Sequence, residues 1–284
     1  MQRNIYCMKI ILPMAGTGDR FKNKGHTDPK PLIFVNNRRI IEYILDIFDN
    51  DDKFIFICND NHLQNTNMRK ILLDLKPNSQ IIGIPPHKKG PVFTTKYAYE
   101  YIEDNEEVLI SYCDSPFIWK RSEFENHVNS HNLDGCLVTH TGFQPHFLET
   151  TKMAFVKTSC DYPLILEVQE KKSYTNNPQN EHASSGCYYF KQGSYIKKYF
   201  ELLMNNDTHY NNEYFITLVY NLLIKDGLRV GYYDSLKTIM LGTPESVDNF
   251  ESWMKLLKGD QCKNIQDIKN CYNYWKDYNE NYIS

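Results

Sequence analysis

The chain lacks the features that mark several other classes of protein. None of its apolar runs approaches the ~20 residues that a membrane-spanning helix needs. The net charge is −3 and no basic tract is present, which argues against a nucleic-acid partner. The 8 cysteines form no Cys-x-x-Cys pair, so their pattern speaks against a zinc site and suits reduced thiols. We therefore expect a cytoplasmic protein with no membrane and no nucleic acid as partner.

Repeats and a secretion leader are also missing. No cationic and apolar leader precedes a cleavage site, and no hexapeptide repeat follows the central part of the chain. We expect residues 1–8 to form an N-terminal extension and residues 9–257 to form one domain. The polar tail, residues 258–284, is expected to be either a docked helix or a contact in a homo-oligomer.

The chain does contain alternating strand and helix patterns. Residues 9–12, 54–58 and 108–112 are short apolar runs typical of buried strands, whereas apolar residues recur at helical spacing over residues 39–48. This alternation predicts an α/β fold in which helices flank a mixed, mostly parallel central sheet. In open sheets of this kind, ligands bind at the carboxyl ends of the strands.

A glycine-rich turn follows the first predicted strand. The sequence LPMAGTGDRF occupies residues 12–21, and DPKPL follows at residues 28–32. Small residues let backbone N–H groups approach an anion closely, and the nearby cations Arg20 and Lys30 neutralise its charge. The turn therefore predicts a site for the phosphates of a nucleotide.

Two better-known phosphate motifs do not fit this turn. A dinucleotide fingerprint needs a third glycine where Phe21 stands, and an acidic residue roughly 20 positions later, where the chain reads NNRR. A Walker A loop needs Gly-Lys-Ser/Thr after its spacer, and no such triplet follows Gly16.

The remaining pattern resembles the signature of the sugar-phosphate nucleotidylyltransferases. Members of that family join a nucleoside triphosphate to a sugar 1-phosphate and release pyrophosphate. The resemblance implies a Rossmann-like three-layer nucleotidyltransferase fold of the GT-A-like type, with Mg²⁺ as cofactor. Later segments keep the family's order, among them EVQEKK at residues 167–172, ASSGCYYF at 183–190 and GTPE at 242–245.

The resemblance also implies roles for individual residues. Arg20 and Lys30 would bind the triphosphate, Lys171 would align the sugar phosphate, and Asp114, at the end of a buried strand, would bind Mg²⁺. The residues expected to contact the nucleotide are Leu12, Met14, Ala15, Gly16, Thr17, Gly18, Pro85 and Gly90. Those expected to contact the sugar are Glu170, Gly142, Ser185 and Gly186.

One position departs from the family pattern. In the thymidylyltransferase branch, the second metal ligand is an Asp two residues before the Gly of Gly-Thr-Pro, and here that position is Met240. Three explanations stay open. Asp114 holds the metal with phosphates and water alone, another carboxylate such as Asp234 helps, or catalysis has been lost.

The substrates also stay open at this stage. We favour UTP with a hexose or N-acetylhexosamine 1-phosphate over GTP or CTP with a mannose, heptose or alditol phosphate. A non-catalytic protein that binds nucleotide sugars is a further alternative, motivated by Met240. A glycosyltransferase is disfavoured, because the strand end reads CDSP without the Asp-x-Asp pair that would hold its metal.

Overall fold

A computed structural model describes residues 7–148, 150, 152–259 and 266–282. Most of the expected N-terminal extension lies outside these residues. Met8, at its end, is buried in the core, and its backbone N–H donates a hydrogen bond to the Asp52 carboxylate.

The strands alternate with helices over most of the described chain. They are β1 (Lys9–Met14), β2 (Phe34–Val35), β3 (Arg38–Arg39), β4 (Lys53–Asn59), β5 (Gln80–Ile84), β6 (Val108–Ser111), β7 (Phe117–Ile118), β8 (Gly135–His140), β9 (Phe155–Thr158), β10 (Ile165–Gln169), β11 (His182–Phe190), β12 (Val230–Asp234) and β13 (Lys237–Thr238). The α-helices are α1 (Asp19–Lys22), α2 (Ile40–Leu45), α3 (Asp60–Asn65), α4 (Met68–Leu75), α5 (Gly90–Thr95), α6 (Arg121–Ser130), α7 (Gly193–Asn205), α8 (Ile216–Lys225), α9 (Pro244–Gly259) and α10 (Gln266–Tyr282).

Within the described residues, one central sheet has nine strands. Its main path runs β10-β9-β11-β6-β1-β4-β5, and β8 lies beside β11 and pairs with β12. Strands β6, β1, β4 and β5 are parallel, as are β8 and β12, whereas β11 is antiparallel to β6, β8 and β9. The sheet is therefore mixed, as the sequence predicts.

Helices cover both faces of this sheet. Along β1, Ile11 points into one buried cluster, while Ile10 and Leu12 point into another on the opposite face. Helices α5, α7 and α8 pack on the first face, and α2, α4 and α6 pack on the second. A strand that is apolar on both sides is stable only when both faces are covered. The result is the three-layer α/β fold expected from the sequence.

The last two helices form a third buried cluster. Trp275 and Tyr278 of α10 pack edge-to-face against Phe250 of α9. The Tyr274 hydroxyl donates a hydrogen bond to the Thr238 backbone oxygen over 2.8 Å. Over residues 266–282 the polar tail is thus a helix docked on the domain.

Candidate active site

The glycine-rich turn leaves β1 at the carboxyl edge of the sheet. Gly18 has φ 69° and lies immediately before α1, a conformation that glycine adopts far more readily than other residues. Gly16 is exposed, and a β-carbon there would meet no atom within 4 Å. The turn therefore leaves open space beside its backbone, next to the exposed Arg20.

Lys30 and Asp114 meet at the same edge. Because β1 and β6 are parallel neighbours, the segments that follow them emerge side by side. The Lys30 Nζ lies 2.6 Å from Asp114 Oδ2. Burial works to lower the pKa of the Lys30 ammonium, but the negative charge of Asp114 and the hydrogen bond to it outweigh burial, so this pKa is raised. Lys30 is therefore a permanent cation at this edge.

The Gly-Thr-Pro-Glu segment closes against Asp114. The Leu241 backbone N–H donates to the Asp114 backbone oxygen over 2.8 Å. A β-carbon at position 242 would lie 2.9 Å from Asp114 Oδ2, which is closer than real β-carbons approach. Glycine at 242 therefore gives the carboxylate its room.

The side chains around Asp114 offer few hard oxygen ligands. The Met240 sulfur accepts a hydrogen bond from the Ser115 hydroxyl over 3.3 Å, and a thioether is a poor ligand for Mg²⁺. Asp234 accepts from the Thr139 hydroxyl over 2.7 Å and pairs with His182 over 2.9 Å. Among the described residues, no group of three or more His, Cys, Asp and Glu could hold a metal. Mg²⁺ fits here only if phosphate and water oxygens complete its shell around Asp114.

Glu170 and Lys171 follow β10 on the antiparallel side of the sheet. The Lys171 Nζ lies 3.4 Å from Glu170 Oε1 and 5.2 Å from the centre of the Phe215 ring. The Glu170 side chain is 4% exposed, and its Oε2 accepts a hydrogen bond from the Thr217 hydroxyl over 2.5 Å. A buried carboxylate needs such partners, so Glu170 is fixed in place.

Glu213 links this side to the glycine-rich turn. Burial raises the pKa of the Glu213 carboxyl, while the positive charges of Lys171 and Arg20 act to lower it. Both cations thus lie close enough to Glu213 to interact with it. The charges of the glycine-rich turn and of the segment after β10 therefore both reach Glu213.

Gly90 and the loop before it approach the turn from another side. A β-carbon at Gly90 would lie 2.7 Å from the Tyr214 backbone nitrogen, and its φ is 86°. Lys88 forms an ion pair with Asp19 of the turn over 2.6 Å. The close approach seen for Gly90 is to protein backbone, and its contact with a nucleobase, like that of Pro85, stays a prediction.

The expected sugar residues are only partly together. Gly186, with φ 81°, lies in a β11 bulge against Ser115 and Tyr112, beside Asp114. The buried Ser185 hydroxyl is instead engaged by Thr238 over 2.7 Å and His140 over 3.1 Å. The Gly142 backbone N–H donates to the Gln179 oxygen in a neighbouring loop over 2.7 Å. Sugar contacts from these residues stay predictions.

Sequence reasoning assigned no role to two residues of this site. Thr217, the second residue of α8, donates a hydrogen bond to Glu170, and the Glu213 carboxyl is influenced by the charges of Lys171 and Arg20. Both belong to the segment EYFIT, residues 213–217, whose first three residues resemble the helix beneath the family's sugar pocket but carry no individual role by that resemblance. The polar residues Glu213 and Thr217, which stand just before and at the start of a largely apolar helix, are the sequence signal that could have identified them as site residues.

Comparisons with known proteins bear on the family and the fold of the chain. No family model matches the chain. It is 23% identical over 228 residues to the bifunctional protein GlmU of Clostridioides difficile (strain 630), which covers 79% of this chain and 46% of that protein. The chain spans about half the length of the curated relatives that it matches.

Solved structures share the fold. A nucleoside-diphosphate-sugar pyrophosphorylase from Vibrio cholerae RC9 superposes with a TM-score of 0.69 at 19% identity, covering 86% of this chain and 99% of that one. A UDP-glucose pyrophosphorylase complexed with UDP-glucose superposes with a TM-score of 0.67 at 16% identity, covering 88% of this chain and 98% of that one. The inositol-1-phosphate CTP transferase from T. maritima superposes with a TM-score of 0.64 at 14% identity, covering 85% of this chain and 91% of that one.

Among the described helices, none is both long enough and apolar enough to cross a membrane. The order of the motifs, the sequence relatives and the solved structures together confirm that the chain resembles the sugar-phosphate nucleotidylyltransferase family and has its Rossmann-like fold.

Proposed function

We propose that the chain transfers the nucleotidyl group of a nucleoside triphosphate to a sugar 1-phosphate and releases pyrophosphate. The observation that carries this proposal is the arrangement of cations around the carboxyl edge of the sheet. Lys30 Nζ lies 2.6 Å from Asp114 there, Arg20 is exposed in α1 beside the glycine-rich turn, and Lys171 Nζ lies 3.4 Å from the buried Glu170 carboxylate. A site that must bring two polyanions together needs such a set of cations.

The attacking group needs little activation. A phosphate monoester has a second pKa of about 6, so the sugar phosphate is already largely ionised at neutral pH. The protein's task is to overcome repulsion and to align the attacking oxygen with the α-phosphorus. Arg20 and Lys30 bind the triphosphate, and Lys171 holds the sugar phosphate. When bound at Asp114, Mg²⁺ would neutralise further phosphate charge.

Glu170 suits the recognition of sugar hydroxyls. One of its oxygens accepts a hydrogen bond from the Thr217 hydroxyl, and the other lies 3.4 Å from Lys171 Nζ. A fixed, buried carboxylate accepts hydrogen bonds from hydroxyls with well-defined geometry. We infer that Glu170 orients the sugar while Lys171 holds its phosphate.

The finer assignments are part of the same proposal. We favour UTP with a hexose or N-acetylhexosamine 1-phosphate, with GTP or CTP and a mannose, heptose or alditol phosphate as the alternative. The product would then serve polysaccharide biosynthesis in the cytoplasm. Mg²⁺ dependence and a homo-oligomeric state belong to the proposal as well.

The test is a pyrophosphate-release screen with Mg²⁺ that crosses four nucleoside triphosphates with a panel of sugar 1-phosphates. One strongly preferred pair is expected, and it would identify the product. The absence of pyrophosphate release from every pair, together with tight binding of a nucleotide sugar measured by calorimetry, would contradict the proposal. That result would favour a non-catalytic binding protein, the alternative that Met240 motivates.

A further inference from the structure

We propose that Lys30 occupies the metal-binding oxygen of Asp114 until a nucleotide arrives, so that the nucleotide-free protein does not take up a divalent cation. This inference rests on the proposed function, because it concerns how the same site is loaded. It assigns Lys30 a second task, as the internal counterion of Asp114.

The first step is the position of the ammonium group. The Lys30 Nζ lies 2.6 Å from Asp114 Oδ2, and the two side chains are 27% and 19% exposed. A partly buried ion pair is screened less by water than a surface pair. A cation that approaches Asp114 must therefore compete with a charge already in contact.

The second step is the small number of oxygen ligands that the protein offers a divalent cation besides Asp114. Where a second carboxylate would assist, Met240 places a thioether that accepts a hydrogen bond from Ser115. Asp234 is engaged by Thr139 and His182. Mg²⁺ requires near-octahedral oxygen coordination, and one carboxylate that also binds an ammonium gives low affinity for it. Without a nucleotide, the protein's own ligands therefore do not offset the free-energy cost of displacing Lys30 from Asp114.

The third step is what a triphosphate would change. Its oxygens carry more negative charge than one carboxylate, so they offer Lys30 a better partner. The same oxygens supply the hard ligands that the protein does not. The nucleotide thus releases Asp114 and completes the coordination shell in one event, and the metal enters together with the nucleotide.

The experiment uses the full chain and Mn²⁺ as the probe, with free Mn²⁺ read from its electron paramagnetic resonance signal. Without nucleotide, wild type is expected to bind no Mn²⁺ at Asp114 in the micromolar range. Lys30→Met removes the competing charge and should tighten Mn²⁺ binding by about tenfold to a thousandfold. Met240→Asp should tighten it as well, because it adds a hard oxygen beside Ser115.

Matched controls separate this mechanism from general charge effects. Met240→Leu should behave as wild type, and Asp114→Asn in the Lys30→Met background should abolish the gain. Circular dichroism checks that each variant is folded. Tight Mn²⁺ binding by nucleotide-free wild type that Asp114→Asn abolishes would overturn the inference, as would a Lys30→Met variant that binds no better.

These outcomes are distinct from a failure of the proposed function. Calorimetric titration of wild type with each nucleoside triphosphate, with and without Mn²⁺, tests nucleotide binding separately, and a titration without protein corrects for the Mn²⁺ that the free nucleotide chelates. If the nucleotide binds but Mn²⁺ binding is independent of it, the inference fails and the function stands. If no nucleotide binds while Lys30→Met still gains Mn²⁺ affinity, the function fails and the counterion role of Lys30 stands.

Discussion

At the scale of single residues, the Thr217 hydroxyl supports the buried Glu170 carboxylate over 2.5 Å. Thr217→Val keeps the shape but removes this donor, and a hydrogen bond to a charged group contributes about 1.5–3 kcal/mol. We expect KM for the sugar 1-phosphate to rise about tenfold to a hundredfold, with KM for the nucleotide unchanged. Steady-state kinetics measures both. Thr208→Val, at an exposed position, is the control, and an equal rise in both KM values would contradict a sugar-specific role.

Lys30 carries the second prediction at this scale. Lys30→Ala removes the cation proposed to face the triphosphate, and the loss of one such electrostatic group lowers kcat by about 10²–10³-fold. The fold should persist, because the side chain lies at the sheet edge rather than in a core cluster. Turnover and circular dichroism measure the two effects, with the exposed Lys70→Ala as control. Retained turnover would remove Lys30 from the mechanism.

Residue spacing could predict that Lys30 and Asp114 share a site, because both follow parallel strands that end at one edge. It could not predict where the Ser185 hydroxyl points. That direction depends on the bulge in β11, which turns Ser185 toward Thr238 and His140. Between Ser184 and Cys187, β11 carries two residues more than β8 does, and such a bulge changes the direction of the side chains within it, which the alternation of the sequence does not fix.

At the scale of elements, Gly90 is the point where α5 meets the strand-like segment before α8. A β-carbon there would clash with the Tyr214 backbone at 2.7 Å, at a φ of 86°. We expect Gly90→Ala to lower the free energy of unfolding by about 2–4 kcal/mol, from strain and overpacking together. Urea denaturation measures this loss.

Gly227 provides the matched control for that variant. Its φ is 80°, yet a β-carbon there would meet nothing within 4 Å. Gly227→Ala therefore reports the cost of backbone strain alone, expected at about 1 kcal/mol. Equal losses for the two variants would show that the contact with Tyr214 contributes nothing.

The elements with strong periodicity were predictable, and those with weak periodicity were not. The short apolar run of residues 80–84, which ends at two prolines, predicts a strand with the bounds that β5 has, Gln80–Ile84. No strong pattern predicts helix α6, since it buries only Phe124 and Val128 among ten residues. The pattern of residues 92–102 predicts one helix, whereas the structure divides it into α5 and a tighter 3₁₀ turn, Lys96–Tyr101. Tertiary contacts decide such divisions, and local pattern does not.

At the scale of the whole molecule, buried histidines make the stability of the fold dependent on pH. Burial lowers the pKa of His146 to about 4, and its Nε2 lies 3.2 Å from the Nε2 of His140, whose pKa burial also lowers well below its usual range. The unfolded chain therefore binds more protons than the folded chain below pH ~6.5, so stability falls as the pH decreases. Between pH 7.5 and pH 5, His146 alone should remove about 2 kcal/mol.

Urea denaturation at the two pH values tests this dependence. His146→Gln keeps an amide able to hydrogen-bond but has no proton to gain, so its stability should fall by about 2 kcal/mol less than that of wild type. His209→Gln, in an exposed loop, should fall as much as wild type does. An undiminished fall in His146→Gln would locate the acid sensitivity elsewhere.

The segment of residues 213–217 has a consequence for how the specificity of this protein can diverge. Gly90, on the proposed nucleobase side, rests on its first half, while Lys171 and Glu170, on the proposed sugar side, contact Phe215 and Thr217. We expect a substitution that shifts this segment to admit a larger sugar to shift Gly90 on the proposed nucleobase side as well. The preference for the sugar and the preference for the base would then change together, and a laboratory selection for a new sugar should recover changes on the base side.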